Sequence, residues 1–513
     1  MESETLKSTA RWRWWLPPAA LSLALALVFQ DPFAGDWDAL DYTVLAVQGR
    51  PSSMFLGRTF FIFLNHGLWR VAHTVFALPP EDAYLLFKYA VIIQSPLAII
   101  AWWWLSHELT NSVRTATVAA LLLASSSFFI IYSGQAMAEI PSLLLLAVAL
   151  AVHLRGLRSR RVLLVLSGAV LLGAGVNLRE GAMLYAPWLV IAPVVCGWGR
   201  GRREVAITLL ACLVFLLVAF GPFALLLLTN AWNYRWSWHG WVESSRLESA
   251  RHPVAFGNIY PLLQFFFVAA PLALLAFPVA AFKEWKLRGM SPLLLLAVIG
   301  LLANLSLIIH YSVVINGRYM LTGAPALVPL AADYFVRSQQ AKLKSASRAF
   351  WVAVAGVAVV AVMVGIFAWP ISRGYVEGRA LARDYRAQLA QVPRDAVVIP
   401  GGQTIALIYW RGLGAGEWEM IGVGSSWPGE RLAEVIDAYL KDGRRVFLDA
   451  DPRWWSPVGW QQQEARELAS VEAHFRFRRV SDTIYEIKLP DDEAARDTPH
   501  LNRLLPENRS GGL

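Results

Sequence analysis

Four aspartates lie close together near the N-terminus of the chain. Asp31, Asp36, Asp38 and Asp41 fall within eleven residues, and acidic residues are scarce elsewhere outside the C-terminal part. A carboxylate in a partly desolvated groove can take a proton from a hydroxyl group. Asp36 and Asp38 are therefore candidate catalytic residues of a transferase or hydrolase that works at a membrane surface.

Asp38 also admits a simpler role. It lies three residues before Asp41 and ahead of the helical-looking run Tyr42–Val47. An aspartate in that place can cap the N-terminus of the helix. Capping and catalysis are compatible, so both roles stay open.

Glu139 is the next candidate, in the run YSGQAMAEIPSLLLLAVAL. An ionisable residue at the mouth of a membrane-spanning helix is costly unless it is paired or faces water, which favours a functional role. The alternative is a carboxylate in the first turn of the helix that interacts only with the helix dipole.

Three arginines stand at similar boundaries. Arg179 lies in GVNLREGAMLYAP, Arg318 lies in VINGRYMLTGAPALVPL, and Arg58 precedes the run TFFIFL. A planar guanidinium is a good partner for a phosphate or diphosphate group. The alternative is that each arginine extends toward the phosphates of surrounding lipids, as any interfacial arginine can.

The composition places these residues in a membrane protein. The 513 residues are 56% hydrophobic and 16% charged, with a mean hydropathy of +0.45, which is too apolar for one soluble domain. The net charge of +9 comes from Arg and Lys in short loops between apolar runs, so we expect no nucleic-acid partner. The two cysteines lie in or beside apolar runs and predict neither a disulfide framework nor a cysteine metal site.

About eleven apolar runs have the length of a membrane span. They lie near residues 14–30, 83–105, 113–132, 137–154, 161–177, 182–197, 204–229, 259–282, 292–311, 319–336 and 349–370. The run between the first two spans, residues 58–78, carries polar residues on one helical face and is predicted to lie along the membrane surface.

The basic loops determine the predicted orientation. With the N-terminus in the cytoplasm, the loops 155–161, 200–203, 283–288 and 337–348 all face the cytoplasm. Everything after residue 370 then lies outside. The candidate residues share that outer face: Asp36, Asp38, Arg58, Glu139, Arg179 and Arg318.

The composition changes after residue 370. Short β-type runs (396–400, 418–424, 444–450 and two near the end) alternate with helical runs. This alternation predicts a small extracytoplasmic α/β domain with mainly parallel strands over residues 371–490. Residues 1–370 form the predicted transmembrane domain, and the polar segment 491–513 is predicted to be disordered.

These features together resemble the GT-C class of integral membrane glycosyltransferases, in particular the branch of protein O-mannosyltransferases and aminoarabinose transferases. The first external loop of those enzymes has an acidic motif, a tyrosine and a helix that ends near glycine. DALDYTVLAVQGRP is similar, with Asp38, Tyr42 and Gly49 at those positions and Ala39 in place of a second acid. GQAMAEIPSLLLLAVAL, NLREGAMLYAPW and GRYMLTGAPALVPLAA resemble later segments, so the likeness covers residues 14–336.

The resemblance implies a multi-pass enzyme of the inner (plasma) membrane, surrounded by membrane lipids. It implies transfer of a sugar, with inversion, from a polyprenyl-phosphate donor to a glycan, lipid or protein acceptor outside the cytoplasm. It also implies a divalent metal ion in many members, with Asp36 and Glu139 as the predicted ligands here.

On this hypothesis each candidate residue has a role. Asp38 is the general base, while Asp36 and Glu139 orient the acceptor or the metal. Arg179 and Arg318 bind the lipid phosphate, with Arg58 as a further phosphate ligand.

Two other classes of function stay open. A secondary transporter predicts an inverted repeat and ionisable groups in the middle of the bilayer. A scaffold without chemistry would use the C-terminal domain for contacts. The grouping and the depth of the charged residues in the structure distinguish these two classes from a transferase.

Overall fold

Helices form where the sequence has its long apolar runs. The computed structural model describes residues 13–31, 37–52, 58–198, 201–251, 259–310, 317–340, 356, 358–373, 385–400, 404–421, 429–450 and 470–490. The chain divides into two units, Met1–Val376 and Glu377–Leu513. The first is helical and the second contains a small sheet, so the predicted mainly α fold is confirmed. The predicted disordered segment, 491–513, lies outside the described residues.

The helices of the first unit follow one another closely along the chain. They are α1 (Leu16–Val28), α2 (Trp37–Gln48), α3 (Thr59–Phe76), α4 (Ala83–Thr110), α5 (Val113–Ala124), α6 (Ser127–Ser133), α7 (Glu139–Ser159), α8 (Val162–Leu178), α9 (Pro187–Val195), α10 (Arg202–Thr229), α11 (Tyr234–Arg251), α12 (Ile259–Ala269), α13 (Pro271–Arg288), α14 (Pro292–His310), α15 (Ala324–Gln340) and α16 (Ala358–Arg373). Short 3-10 segments, Glu180–Tyr185 and Gly317–Thr322, precede α9 and α15.

Some of these helices can cross a membrane by length and composition. Within the described ranges, three helices qualify alone: Pro80–Thr110, α7 and α10. Two bent pairs, α5 with α6 (67°) and Leu262–Ala269 with α13 (97°), qualify as broken spans, and five apolar helices are shorter. The number of spans and the side on which each loop lies stay predictions.

Helices α2 and α3 run side by side in the same direction. The ring of Tyr42 meets the ring of Phe61 edge-on at 5.7 Å, and Nδ1 of His66 lies 2.7 Å from the carbonyl oxygen of Ala46. Gly49 ends α2 with a positive φ of 66°, and a Cβ there would lie 2.8 Å from the His66 ring. The N-terminal ends of both helices therefore lie at the same end of the pair.

Helices α7 and α8 form a tight antiparallel hairpin. A Cβ on Gly156 would lie 2.6 Å from the backbone nitrogen of Val165, and a Cβ on Gly168 would lie 2.5 Å from Cβ of His153. Small residues allow such close approach between helices that have no hydrophobic driving force in lipid. The hairpin brings the first residue of α7, Glu139, to the same end as the last residues of α8.

The segment before α15 also depends on glycine. A Cβ on Gly317 would lie 2.1 Å from the Phe128 ring, and a Cβ on Gly323 would lie 2.0 Å from the carbonyl oxygen of Gly300. Neither position has room for a side chain. These contacts hold the 3-10 segment Gly317–Thr322 against α6 and α14.

Besides helical turns at 385–389 and 470–474, the described part of the second unit contains five strands and two longer helices. They are β1 (Val397–Ile399), α17 (Thr404–Gly412), β2 (Glu419–Met420), α18 (Gly429–Lys441), β3 (Val446–Asp449), β4 (Arg476–Arg479) and β5 (Ile484–Lys488), and the strand order is β2-β1-β3-β5-β4. The core of this unit includes Leu432 and Ile436 of α18 packed with Val446, Leu448 and Ile487 of the sheet.

The expectation of mainly parallel strands holds for only half of the sheet. β1 pairs in parallel with β2 and β3, but β5 pairs antiparallel with both β3 and β4. Only residues 480–483 connect β4 to β5, whereas a parallel crossover needs a dozen or more residues. A turn this short makes the last two strands a hairpin.

We predict that Gly168→Ala destabilises the protein. The new methyl group overlaps His153 across the α7–α8 contact, and such overpacking costs about 1–3 kcal/mol. Gly221→Ala is the matched control, since Gly221 lies inside α10 with no atom within 4 Å of the added Cβ. Thermal unfolding in detergent should show a lower midpoint for Gly168→Ala alone. Equal midpoints for the two variants would contradict the close packing of the hairpin.

Candidate active site

Asp38 collects three hydrogen-bond donors on one carboxylate oxygen. Its Oδ2 accepts from Nη1 of Arg318 at 2.7 Å, from the Tyr42 hydroxyl at 3.1 Å and from Nη1 of Arg58 at 3.2 Å. Tyr42 is one helical turn further along α2, which brings the two side chains together. About a third of the Asp38 side chain (31%) remains exposed. The carboxylate is thus held by cations and still accessible from one side.

The structure also bears on the capping alternative for Asp38. Helix α2 begins at Trp37, so Asp38 lies inside its first turn instead of capping a helix that starts at Tyr42. A carboxylate there still interacts favourably with the helix dipole. Its bonds to two arginines show that the side chain does more than support the end of a helix.

Arg58 bridges Asp38 to a second carboxylate. Its Nε and Nη2 each donate to Glu180 at 3.3 Å, in the bidentate arrangement that the planar guanidinium favours, while Nη1 donates to Asp38. Its side chain is almost completely buried, and its charge lies 4.9 Å from the centre of the Tyr42 ring. Burial alone would lower the pKa of Arg58, but the charges of Glu180 and Asp38 raise it above the ordinary value. The guanidinium therefore stays charged.

The backbone of Arg58 is unusual. Its φ of 44° and ψ of 36° lie in the left-handed region, just before α3 begins. A non-glycine residue held there costs on the order of 1–3 kcal/mol. The two ion pairs of the side chain help to offset this cost, so the strained turn and the charge network support each other.

Sequence reasoning assigned no role to Glu180. It begins the 3-10 segment before α9, directly after Arg179. Burial alone would raise the pKa of Glu180, but the charges of Arg58 and Arg179 lower it to about 2, so it is a carboxylate at any ordinary pH. The sequence did contain a clue to this role. A desolvated arginine needs a carboxylate, and Glu180 lies on the same predicted membrane face as Arg58.

Glu139 and Arg179 form a buried ion pair. Nη1 of Arg179 lies 3.2 Å from Oε1 of Glu139, and only 1% of the Glu139 side chain is exposed. The pair meets at the shared end of the α7–α8 hairpin. The contact has poor hydrogen-bond geometry, since within the described part of the chain neither Glu139 oxygen nor Nη2 of Arg179 has a hydrogen-bond partner.

These unsatisfied atoms lie beside a small cavity of about 20 Å³, which has room for about one water molecule. Glu139 and Arg179 line it together with Ser142 and Thr322. Buried polar atoms without partners are uncommon in native structures and are often satisfied by an unrecorded water or ion, or serve catalysis. The cavity is thus a polar space next to the network of Asp38.

Arg318 connects the segment before α15 to the start of α2. It lies in the 3-10 segment before α15, where its guanidinium reaches Asp38 and its carbonyl oxygen accepts from Nη1 of Arg179 at 3.4 Å. The charges of Arg318 and Arg179 lie 5.1 and 5.5 Å from the centre of the Tyr319 ring. Tyr319 therefore contacts both guanidiniums and stabilises them by cation–π contact.

The structure brings five of the six candidate residues into one network. They are Asp38, Arg58, Glu139, Arg179 and Arg318, joined by Glu180. Three guanidiniums and three carboxylates give a formal charge of zero. The sixth candidate, Asp36, lies outside the described residues.

The described residues alone do not provide the predicted metal site. Among them, no group of three or more His, Cys, Asp and Glu side chains is placed to hold an ion. The guanidinium of Arg179, 3.2 Å from Oε1 of Glu139, also opposes a metal ion at that oxygen. The divalent metal stays a prediction from the resemblance, with Asp36 untested.

Solved structures with a similar fold include two that contain a lipid phosphate. ArnT from Cupriavidus metallidurans, bound to undecaprenyl phosphate, has a TM-score of 0.58 and 15% identity, over 94% of this chain and 99% of its own. The archaeal oligosaccharyltransferase AglB from Archaeoglobus fulgidus, in complex with an inhibitory peptide and a dolichol-phosphate, has a TM-score of 0.54 and 12% identity, over 93% of this chain and 74% of its own. The chain has the GT-C fold.

A third solved structure also has a similar fold. The A. fulgidus oligosaccharyltransferase in complex with Zn and sulfate has a TM-score of 0.53 and 11% identity, over 93% of this chain and 73% of its own. No family model matches the sequence, and no curated protein matches it. The likeness is thus one of fold, and the GT-C fold predicted from the resemblance is confirmed.

We predict that Arg179→Met destabilises the protein more than the double variant Glu139→Gln/Arg179→Met. The single variant leaves a buried carboxylate without its cation, which costs about 3–5 kcal/mol, whereas removal of both charges is often nearly neutral. Chemical unfolding in detergent measures both. A double variant that is less stable than Arg179→Met would contradict the pairing.

Proposed function

We propose that this protein transfers a sugar from a polyprenyl-phosphate donor to an acceptor hydroxyl, with inversion, on the extracytoplasmic side of the inner membrane. The observation that carries the proposal is the convergence of Arg318 and Arg58 on one partly exposed carboxylate, Asp38. A base beside two phosphate-binding groups is what such a transfer requires. The GT-C fold, shared with proteins solved with lipid phosphates, supports the same function.

Exposure separates Asp38 from Glu139, whereas Glu180, which is 33% exposed, is held by Arg58 through both of its carboxylate oxygens. The Asp38 side chain is 31% exposed, so an acceptor hydroxyl can approach it, whereas the Glu139 side chain is 1% exposed. We therefore assign the general base to Asp38. Glu139 positions Arg179, and Glu180 positions Arg58, each by a direct ion pair.

The donor phosphate competes with Asp38 for the same guanidiniums. Arg318 and Arg58 both donate to Oδ2 of Asp38, and a phosphate at that place offers them more oxygens with a similar charge. When the phosphate takes these donors, Asp38 is released to accept a proton. Binding of the donor thus frees the base before the acceptor reacts.

The transfer is a displacement at the anomeric carbon of the donor sugar. The acceptor oxygen forms a bond to the anomeric carbon while the bond from that carbon to the phosphate oxygen breaks. The electron pair of the broken bond stays on the phosphate, which gains one negative charge near Arg318 and Arg58. The acceptor proton passes to Asp38. Attack opposite the leaving phosphate inverts the anomeric carbon.

We further propose that the chain belongs to the aminoarabinose transferase-like branch of the class. The aligned region covers 99% of ArnT but 74% of AglB, which favours the aminoarabinose transferase-like branch. The acceptor is then a glycan, lipid or protein hydroxyl. The first unit is multi-pass with a cytoplasmic N-terminus, as the basic loops indicate, and the second unit is extracytoplasmic.

A secondary transporter fits the arrangement less well. The charged residues lie at helix ends: Asp38 in the first turn of α2, Glu139 at the start of α7 and Arg179 just after α8. A transporter would place such groups near the middle of its helices. Grouping at helix ends favours a site at the membrane face.

We predict that Asp38→Asn abolishes transfer. Loss of the base should lower kcat by about 10²–10⁴-fold, measured as release of polyprenyl phosphate from a panel of polyprenyl-phosphate sugars. Asp82→Asn is the control, because Asp82 lies in the turn before α4 and belongs to none of the ion pairs of the network. Comparable activity in wild type and Asp38→Asn would refute the assignment.

We also predict that Asp38→Asn binds undecaprenyl phosphate more tightly than the wild type. The substitution removes one negative charge from a neutral network and one competitor for Arg318 and Arg58. We expect a gain of about tenfold, or about 1.4 kcal/mol. Arg318→Gln should bind the lipid more weakly than the wild type. A loss of binding in Asp38→Asn would show that Asp38 does not compete with the phosphate.

A further inference from the structure

A second polar cavity lies between α13 and α15, in a part of the fold that the proposed function does not use. It has a volume of about 270 Å³ and is lined by Lys283, Glu284 and Leu287 of α13 and by Leu330, Asp333 and Arg337 of α15. These residues lie toward the C-terminal ends of both helices, where the helix dipole stabilises the basic side chains.

The two carboxylates of this cavity are buried and already engaged. Asp333 holds Nε of Arg337 at 2.8 Å. Glu284 accepts from the Ser291 hydroxyl at 2.7 Å and from Nη1 of Arg288 at 3.3 Å. The acids therefore fix the two arginines in place and are not themselves open to a ligand.

The cations are the accessible groups. Arg337 and Arg288 are each more than a third exposed, and Lys283 is exposed, with its ammonium 4.8 Å from the centre of the Tyr334 ring. The described residues supply no carboxylate within ion-pair distance of Lys283. Arg337 and Arg288 neutralise the two carboxylates, Arg288 from outside the lining, so the charge of Lys283 is left to match a group with a single negative charge.

The walls of the cavity indicate a lipid. Leu287 lines the cavity and is 69% exposed, and its neighbours Trp285 and Phe282 on α13 are also largely exposed. Exposed apolar side chains beside a cationic pocket suit an acyl chain below a phosphate. The basic loops 283–288 and 337–348 are predicted to be cytoplasmic, and basic pockets between helices on that side bind lipid headgroups.

We infer that this cavity binds the phosphodiester headgroup of an anionic glycerophospholipid from the cytoplasmic leaflet. The phosphate lies between Lys283 and Arg337, and an acyl chain follows Leu287 and Leu330. The site is separate from the network of Asp38, so it is independent of the proposed transfer. Its effect is to hold the ends of α13 and α15 together.

The test uses the full-length protein in a neutral detergent. Dioleoyl phosphatidylglycerol is titrated against thermal unfolding and against lipid adducts in native mass spectrometry, with the phosphatidylethanolamine and phosphatidylcholine analogues in parallel. We expect phosphatidylglycerol to raise the unfolding midpoint most and to remain bound. Equal effects of all three lipids would overturn the inference, as would an equal effect of soluble glycerol 3-phosphate.

Lys283→Gln is the informative variant, because the loss of its charge leaves no buried carboxylate without a partner. It should weaken phosphatidylglycerol binding about fivefold with an unchanged midpoint in the absence of lipid. Lys286→Gln is the matched control, since Lys286 is exposed on the same helix and does not line the cavity. An equal loss in Lys286→Gln would show only general surface attraction and would refute the site.

Discussion

A guanidinium buried away from water must be paired, and this requirement organises the first unit. Arg58 is almost completely buried and lies between Asp38 and Glu180. The cost of desolvating one unpaired ion amounts to several kcal/mol, so the buried guanidinium of Arg58 is not stable in its place without a carboxylate partner. The pairing therefore joins the start of α2, the turn before α3 and the end of α8 into one structure.

The partners in this network are far apart along the chain. Asp38 and Arg318 are separated by 280 residues, and Arg58 and Glu180 by 122. Each nevertheless lies at a helix end, where the backbone leaves the apolar interior. Helix pairs explain the meeting, because the parallel α2–α3 pair and the antiparallel α7–α8 hairpin both bring their charged ends to one place.

A neutral network of arginines and carboxylates is suited to the exchange of one anion for another. On the proposed function, an entering phosphate replaces a carboxylate on groups that are already ordered, so it brings no charge into an empty apolar space. Little reorganisation is then needed when negative charge develops on the leaving phosphate, which is the condition for strong electrostatic stabilisation. The same logic makes the exposure of Asp38 important, since a carboxylate buried like that of Glu139 cannot meet an acceptor.

The sequence alone determined the membrane character, the helical segments and most of the charged residues that the structure brings together. Apolar runs of spanning length must form helices in lipid, and a charge at the end of such a run is costly unless it is paired or faces water. The tertiary structure decided the partners: that Asp38 meets Arg318 and Arg58, that Glu180 completes the network and that Glu139 is held by Arg179. It also decided that β4 and β5 form an antiparallel hairpin. Ion pairs and strand neighbours depend on distances in space between distant segments, and these distances follow from how helices and strands pack, which hydropathy along one chain does not specify.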